Sequence, residues 1–423
     1  MNFSMSGTEQ RLRETQPRRQ SGQLRQYALG WAAACCLGLL SACSKAADPT
    51  PTSGGTTPKG AIQLPGITYW NDVIRKVPWS VHIVKIDRTR KDLAFTTTIA
   101  RNTVVGLAQL SAQIRSVPAT VGKPLVAING DFYSVDSGPY IGDPRGIQIM
   151  EGEYLSTPGD QSVFRIDAQG NPEIGIVESK FTITWPDGTV SAARLNEERS
   201  PKETVVFTPR LGSSTRTSGG TEAILVAAGQ EPLLPLQVGK EVVGKVESIQ
   251  QGGDTPLKPG KLVVSFGPRV SKASTLKAGD VLKISPMTEP SLAGARTALG
   301  GGNIIVHKGE PQKFSMPVSG AYKFRSVVER HPRSAVGFSD THIFLVQVDG
   351  RQGDLSIGMT LEELGAYMQK LGCKEAMNFD GGSSSTLWVA GRVVNSPSSG
   401  SERDIGNALV LTQKPAAVSQ QVP

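Results

Sequence analysis

The sequence predicts an α+β fold with mixed, mainly antiparallel β-sheets, flanking helices and a β-rich middle part. Three observations carry that prediction. The 423 residues hold 47 Gly and 28 Pro with an apolar fraction of 38%, the composition of a loop-rich globular chain. Only 19% are charged, which leaves little material for long solvated helices. Short runs of alternating apolar and polar residues, broken by Gly, Pro and Asp, recur from residue 66 onward, the period of half-buried strands.

The N-terminal stretch reads as a targeting segment. Arg11, Arg13, Arg18, Arg19 and Arg25 make a basic leader, and an apolar run follows from Tyr27 to Leu40, too short to span a bilayer comfortably. It ends in Leu40-Ser41-Ala42-Cys43, which resembles the lipobox of bacterial lipoprotein signal peptides and implies lipidation at Cys43. An ordinary cleaved signal with a chance cysteine is the alternative. The polar linker that follows at once favours the anchored form. Residues 44–65, rich in Thr, Pro, Ser and Gly, read as a flexible tether. Residues 66–415 then form the folded part, with 416–423 a tail.

Of four cysteines, Cys35 and Cys36 lie in the leader and Cys43 is the expected anchor. Cys373 alone remains, so the mature chain holds no intramolecular disulfide and no cysteine zinc site. The net charge of +8 drops to about +5 without the leader. That suits an anionic ligand or envelope. No basic stripe interleaved with aromatics is present, so nucleic acid is not an expected partner.

In the folded part, Val81 to Asp87 alternates as a strand, with Leu93 to Ile99 its partner. Leu107 to Ile114 is spaced as an amphipathic helix, and Pro124 to Ile128 is a buried strand that runs into the turn Asn129-Gly130-Asp131-Phe132-Tyr133. From about 165 to 285 strand follows strand: Phe181 to Trp185, Ala223 to Ala227 and Lys261 to Phe266 are examples. Ile343 to Val348 is a strand ending in Asp349-Gly350-Arg351, and Thr360 with Glu363 makes a capping box for a helix to about Leu371.

The most informative stretch is Asn378-Phe379-Asp380-Gly381-Gly382-Ser383-Ser384-Ser385-Thr386. Paired glycines allow backbone angles closed to other residues and let a ligand approach closely. The hydroxyl row suits sugar hydroxyls or phosphate oxygens. Asp380 stands at the lip of the turn, where a carboxylate serves as acid, base, nucleophile or ligand. A plain Gly-Ser loop capped by an aspartate is the bland alternative.

Together with Asn129-Gly130 and Phe132, Gly300-Gly301-Gly302, Arg330-His331-Pro332-Arg333, Asp349-Gly350-Arg351 and Ser401-Glu402-Arg403, this stretch resembles the phosphodiester glycosidase family. The pieces run in order from about Gly66 to Leu411. Two departures stand out: Ser383 occupies a position where the family commonly has a third glycine, and Asp131 one where a glycine is common.

The resemblance implies hydrolysis of a sugar-1-phosphate diester at its glycosidic bond, with a glycan or sugar-phosphate as substrate. Such chemistry needs guanidinium groups to grip the diester. Arg330, Arg333 and Arg403 are the candidates, with Arg145 behind them. It needs a carboxylate at the anomeric carbon, where positive charge develops. Asp380 is the first choice and Asp131 the second, and His331 lies between two arginines. Asn129, Asn378, Gly381, Gly382, Ser384, Ser385 and Thr386 offer partners for sugar hydroxyls. No cofactor is required; a divalent cation between Asp380 and Asp131 is compatible with the pattern, although no spacing demands one. Zincin, nucleophile-elbow and Walker signatures are missing. Two rivals remain: a glycan-binding lipoprotein without turnover, and a glycosidase acting on unphosphorylated polysaccharide.

Overall fold

Val81 and Ile83 face one side of their strand while Val84 and Ile86 face the other, and both sides are buried. That double burial sets the architecture. The computed structural model describes residues 61–315 and 326–415. The leader, Cys43 and the tail 416–423 lie outside the described residues.

The first sheet has eight strands. They run in the order Ile62–Leu64, Ile67–Ile74, Trp79–Asp87, His342–Val348, Arg333–Phe338, Glu375–Asn378, Ile304–His307 and Glu310–Pro311, all antiparallel. Its opening strand lies within the segment read as a tether, so Ile62–Leu64 is sheet rather than linker. The second sheet orders Arg392–Val393, Leu387–Val389, Lys123–Asn129, Asn407–Gln413 and Leu93–Ile99, again antiparallel. The expected pairing of Leu93–Ile99 with Val81–Asp87 does not occur; the two strands lie in different sheets.

The two sheets share a core. Ile67, Val84, Ile86, Leu345 and Met377 from one meet Val126, Ile128, Leu387, Leu409 and Leu411 from the other. Each such side chain contributes about 1.5–3 kcal/mol by leaving water. Helix Leu361–Lys370 covers the outer face of the first sheet through Leu361, Leu364 and Met368. The capping box is present as read: Thr360 accepts from the Glu363 N–H at 3.1 Å, and Glu363 accepts from the Thr360 N–H at 2.9 Å. Helix Leu110–Arg115 covers the second sheet, and is shorter than expected because Ala108 pairs with Ile405 instead. Strands dominate, so the helices are minor covers rather than a flanking layer.

A five-stranded antiparallel sheet of Glu153–Ser156, Gln148–Met150, Thr297–Gly300, Ser162–Ile166 and Pro172–Ile176 adjoins these. The middle part is an eight-stranded sheet from Thr182 to Ser285 with its own core of Phe181, Trp185, Leu225, Phe266 and Ile284. It begins later than residue 165, because Ser162–Ile176 belongs to the neighbouring sheet.

Strand polarity places the informative turns. Lys123–Asn129, Glu375–Asn378 and Thr297–Gly300 all end, and Asn407–Gln413 begins, at the same end of the sheets. The Gly130 carbonyl accepts from the Asp380 N–H at 2.9 Å, which brings together turns 250 residues apart in sequence.

Candidate active site

Asn129 is the splice between those turns. Its carbonyl oxygen accepts from Ser334 Oγ at 2.6 Å and from the Thr386 N–H at 3.0 Å, while its amide donates to the Asp380 carbonyl at 2.8 Å. Asn378 does similar work: Oδ1 accepts from the Asn303 N–H and Nδ2 donates to the Phe379 carbonyl, both at 2.8 Å. A buried amide must find partners, and these two have found them in the main chain. Each amide nitrogen spends one of its two N–H groups in this way, so both asparagines serve the joining of the turns.

Asp131 follows Asn129-Gly130 and turns inward, with 3% of its surface exposed. Oδ1 accepts from its neighbour Phe132 N–H and Oδ2 from the Gly146 N–H, each at 2.7 Å. Burial raises its carboxyl from 3.8 to about 8, against the pull of those two N–H groups; the charge of Asp380 adds to the rise, and Arg145 opposes it. The triple glycine explains itself here. A Cβ on Gly300 would lie 2.7 Å from Asp131 Oδ2 and 2.9 Å from the Gly146 Cα. Gly300→Ala therefore forces the buried carboxyl and two backbones apart. The expected cost is about 2 kcal/mol, read as a lower urea midpoint; an unchanged midpoint would mean the Asp131 pocket is slack.

Asp380 is more open than Asp131. Gly381 N–H donates to its Oδ1 at 2.9 Å. Burial raises its carboxyl to about 6, offset by Ser384, the Gly381 N–H, Arg403 and Arg145. Behind it the chain makes a short 3-10 turn, Gly382–Ser384. Gly382 sits at φ +61, and its missing side chain leaves room for Arg351, whose Nη2 lies 3.1 Å from where a Cβ would stand. Gly381 packs on the Pro332 carbonyl, 2.8 Å from its own absent Cβ. The hydroxyls of Ser384 and Ser385 are buried without a partner in hydrogen-bond geometry, although that of Ser384 faces both Asp380 and Tyr133. Thr386 Oγ1 donates to the Ser384 carbonyl at 3.2 Å.

The arginines sort differently from the sequence expectation. Arg330 is clasped by Glu363 of the helix cap through Nε and Nη2. Arg333 is buried, with Nε donating to the Met359 carbonyl at 2.8 Å and Nη2 to the carbonyls of Ser326 and Glu329 at 2.6 and 2.8 Å. Burial, with help from the nearby Arg351 charge, lowers its pKa to about 10. Both are corrected from ligand grips to scaffold. Arg403 does reach the site: Nη1 donates to Ser383 Oγ at 3.1 Å, and its guanidinium lies 5.7 Å from the Tyr133 ring centre. Arg145 is exposed and close enough to act on both carboxyls.

Arg351 is the member that sequence reasoning passed over. It stands in the left-handed region at φ +60 and donates from Nη2 to His331 Nδ1 at 3.2 Å. His331 is half-buried; burial first, then the charges of Arg333 and Arg351, lower its pKa and keep the ring neutral. Its Nε2 faces Glu329 at 3.5 Å. Tyr133, under Arg403 and held by the Asp404 carbonyl at 2.9 Å, was also missed. Asp349 is buried in a relay with His82 Nε2 at 2.9 Å and Tyr69 beyond it, and serves the fold. Among the described residues no three His, Cys, Asp or Glu side chains cluster as metal ligands.

Comparison with known proteins bears on the family and the fold. Residues 238–412 match the family described as phosphodiester glycosidase, a span that holds His331, Arg351, Asp380 and Arg403 but not Asp131. A hypothetical protein from Synechocystis shares the fold at a TM-score of 0.65 and 22% identity, over 82% of this chain and 62% of that one. A Burkholderia pseudomallei K96243 protein, provisionally described as exported, shares it at 0.62 and 20% identity, over 79% and 74%. The uncharacterized SPbeta prophage-derived protein YomE of Bacillus subtilis strain 168 is 31% identical over 120 residues, 28% of this chain and 18% of that one. Across residues 238–412, this chain is similar to the phosphodiester glycosidase family.

Proposed function

We propose that the protein hydrolyses the glycosidic bond of a sugar-1-phosphate diester, releasing the sugar and a phosphomonoester. One observation carries the reading. Arg145 and Arg403 act on Asp380, Arg351 packs against Gly382 of the same turn, and none of the three makes an ion pair among the described residues. Elsewhere in the chain Arg90 is neutralised by Asp92 and Arg210 by Glu153. Unpaired guanidinium groups beside an open turn suit a phosphodiester through charged, paired hydrogen bonds.

The chemistry follows from the leaving group. A phosphodiester oxygen is a weak base, so departure needs little proton donation, and charge balance at the oxygens is what the arginines supply. Asp380 is the reacting carboxylate at the anomeric carbon. A carboxyl titrating at about 6 is ionised at neutral pH and basic enough to take a proton from water. Asp131, closed off behind it, acts through Asp380 rather than on substrate. Ser384, Ser385 and Tyr133 face the sugar side. The leader pattern ending at Cys43 supports an exported, lipid-anchored protein acting on an envelope or extracellular glycan, and the provisional description of the Burkholderia relative agrees with export.

The test compares a UDP-sugar or methyl phosphodiester of a sugar with a neutral aryl glycoside. Arg351→Ala is expected to raise KM for the diester by about tenfold to a hundredfold, the worth of a charged hydrogen-bonded contact. Arg330→Ala should stay within about twofold, since its partner Glu363 lies in the helix cap. Equal turnover of the neutral glycoside, indifferent to Arg351→Ala, would instead mark a glycosidase for unphosphorylated polysaccharide. Binding without turnover of any substrate would mark a glycan-binding module.

A further inference from the structure

A cavity of about 550 Å³ opens at the end of the two packed sheets opposite the candidate active site. Strands Lys123–Asn129 and Asn407–Gln413 run from one end to the other, a separation of roughly 20 Å. The size lies in the ordinary range for small-molecule sites. Its floor is apolar: Leu93, Phe95, Ile166 and Leu411 continue the shared core of the two sheets outward.

The rim is cationic once local pairing is counted. Arg90 is taken by Asp92 and Arg296 by Glu151. Two lining carboxylates stay outside these pairs and keep their charge: Asp87 accepts from the Thr89 N–H at 2.8 Å, and Asp167 from the Gln169 and Asn171 N–H groups at 2.9 and 2.7 Å. Against these two stand three cations, Arg88, Lys91 and Lys414, so the rim is positive by one charge. Arg88 donates to the Ser339 and Asp340 carbonyls, and Lys414 Nζ to the Lys91 carbonyl at 2.9 Å. These carbonyl contacts hold the cations in place without cancelling their charge.

We propose that this cavity binds a single-chain anionic amphiphile, an aliphatic tail ending in a phosphate or carboxylate. The tail lies on Phe95 and Leu411, and the head group meets Lys91 and Lys414 at the mouth. A neutral sugar would leave its hydroxyls facing an apolar floor, which costs free energy. A bare inorganic anion would leave that floor wet. The site is independent of the hydrolytic reading, because none of its lining residues belongs to the candidate active site.

Calorimetric titration of the full-length protein with dodecyl phosphate below its micelle concentration should give saturable one-to-one binding. Inorganic phosphate, lacking the tail, and dodecanol, lacking the charge, should each bind at least about tenfold more weakly. The double variant Lys91→Glu, Lys414→Glu should weaken dodecyl phosphate binding by about tenfold or more, and Leu93→Gln by several-fold, with diester hydrolysis unchanged in both. Phosphatidylglycerol vesicles form the second arm. Capture by vesicles without binding of monomeric dodecyl phosphate would overturn the cavity in favour of a surface patch. Equal affinity for dodecyl phosphate and inorganic phosphate, indifference to the charge reversal, or no saturable binding would each overturn it as well.

Discussion

Replacing Asp380 with Asn is expected to lower kcat for a sugar-1-phosphate diester by about a thousandfold, with melting temperature nearly unchanged. The fold survives because the contacts of this residue are mostly backbone: its N–H goes to the Gly130 carbonyl and its carbonyl accepts from Asn129. The amide oxygen of Asn can still accept from the Gly381 N–H that now donates to Oδ1. Chemistry has no such substitute, since an amide neither takes a proton from water nor stabilises charge at the anomeric carbon. KM gives the discriminating sign. Removing a negative charge beside Arg145 and Arg403 leaves more net positive field for an anionic diester, so KM should hold or fall while kcat collapses. In the wild type, kcat/KM should decline below about pH 6 as Asp380 takes up its proton. Free sugar release, measured at saturating and limiting substrate, reads both. A variant within about tenfold of wild-type kcat would be too active for the lost group to be the reacting carboxylate, and Asp131 would be the next place to look.

Much of the scaffold was legible in the sequence because its signals are local. Val81 to Asp87 alternates and Ile343 to Val348 is an apolar run, and they became Trp79–Asp87 and His342–Val348. Thr360 with Glu363 caps a helix wherever the pair is placed, since both partners lie in one turn. Asp380 before two glycines marked a turn, and the fold sets that turn against Gly130. What failed was direction and partnership. Arg330 and Arg333 looked like a pair of grips because they flank His331-Pro332. Yet Arg333 opens a strand whose inward face is buried, so its side chain was committed to main-chain carbonyls, and Arg330 found the carboxylate of the cap. Arg351, in a strand-ending turn of ordinary appearance, gained its position from a positive φ that sequence does not display. Asn129 and Asn378 each end a buried strand, where unpaired backbone groups of adjoining turns take up part of an amide's hydrogen bonding, a demand that local sequence does not display. Leu93–Ile99 joined the second sheet because register there is set by Asn407–Gln413, far along the chain.

Asp131 makes stability fall as pH rises toward 8. Its folded-state carboxyl is raised from the ordinary 3.8 to about 8, chiefly by burial. In the unfolded chain the same group releases its proton near its ordinary value. Between those limits the folded state binds the additional proton, so the stabilising contribution is complete below the unfolded pKa and is lost as pH rises through the folded one. One such proton steepens the decline by at most about 1.4 kcal/mol per pH unit. Asp131→Asn removes the titration. It also turns an NH2 group toward the N–H of Phe132 or Gly146, so the variant starts less stable in acid. Its curve should nevertheless be flatter and approach the wild type on the alkaline side. Urea unfolding across about pH 5 to 8 measures both slopes. Identical slopes would mean that Asp131 is already ionised in the fold throughout that range. The functional consequence lies next door. Two carboxylates in one pocket do not ionise together without mutual cost. If Asp380 is the reacting carboxylate, as proposed, a proton retained on Asp131 lets it carry the single negative charge, beside Arg145 and Arg403, near neutral pH.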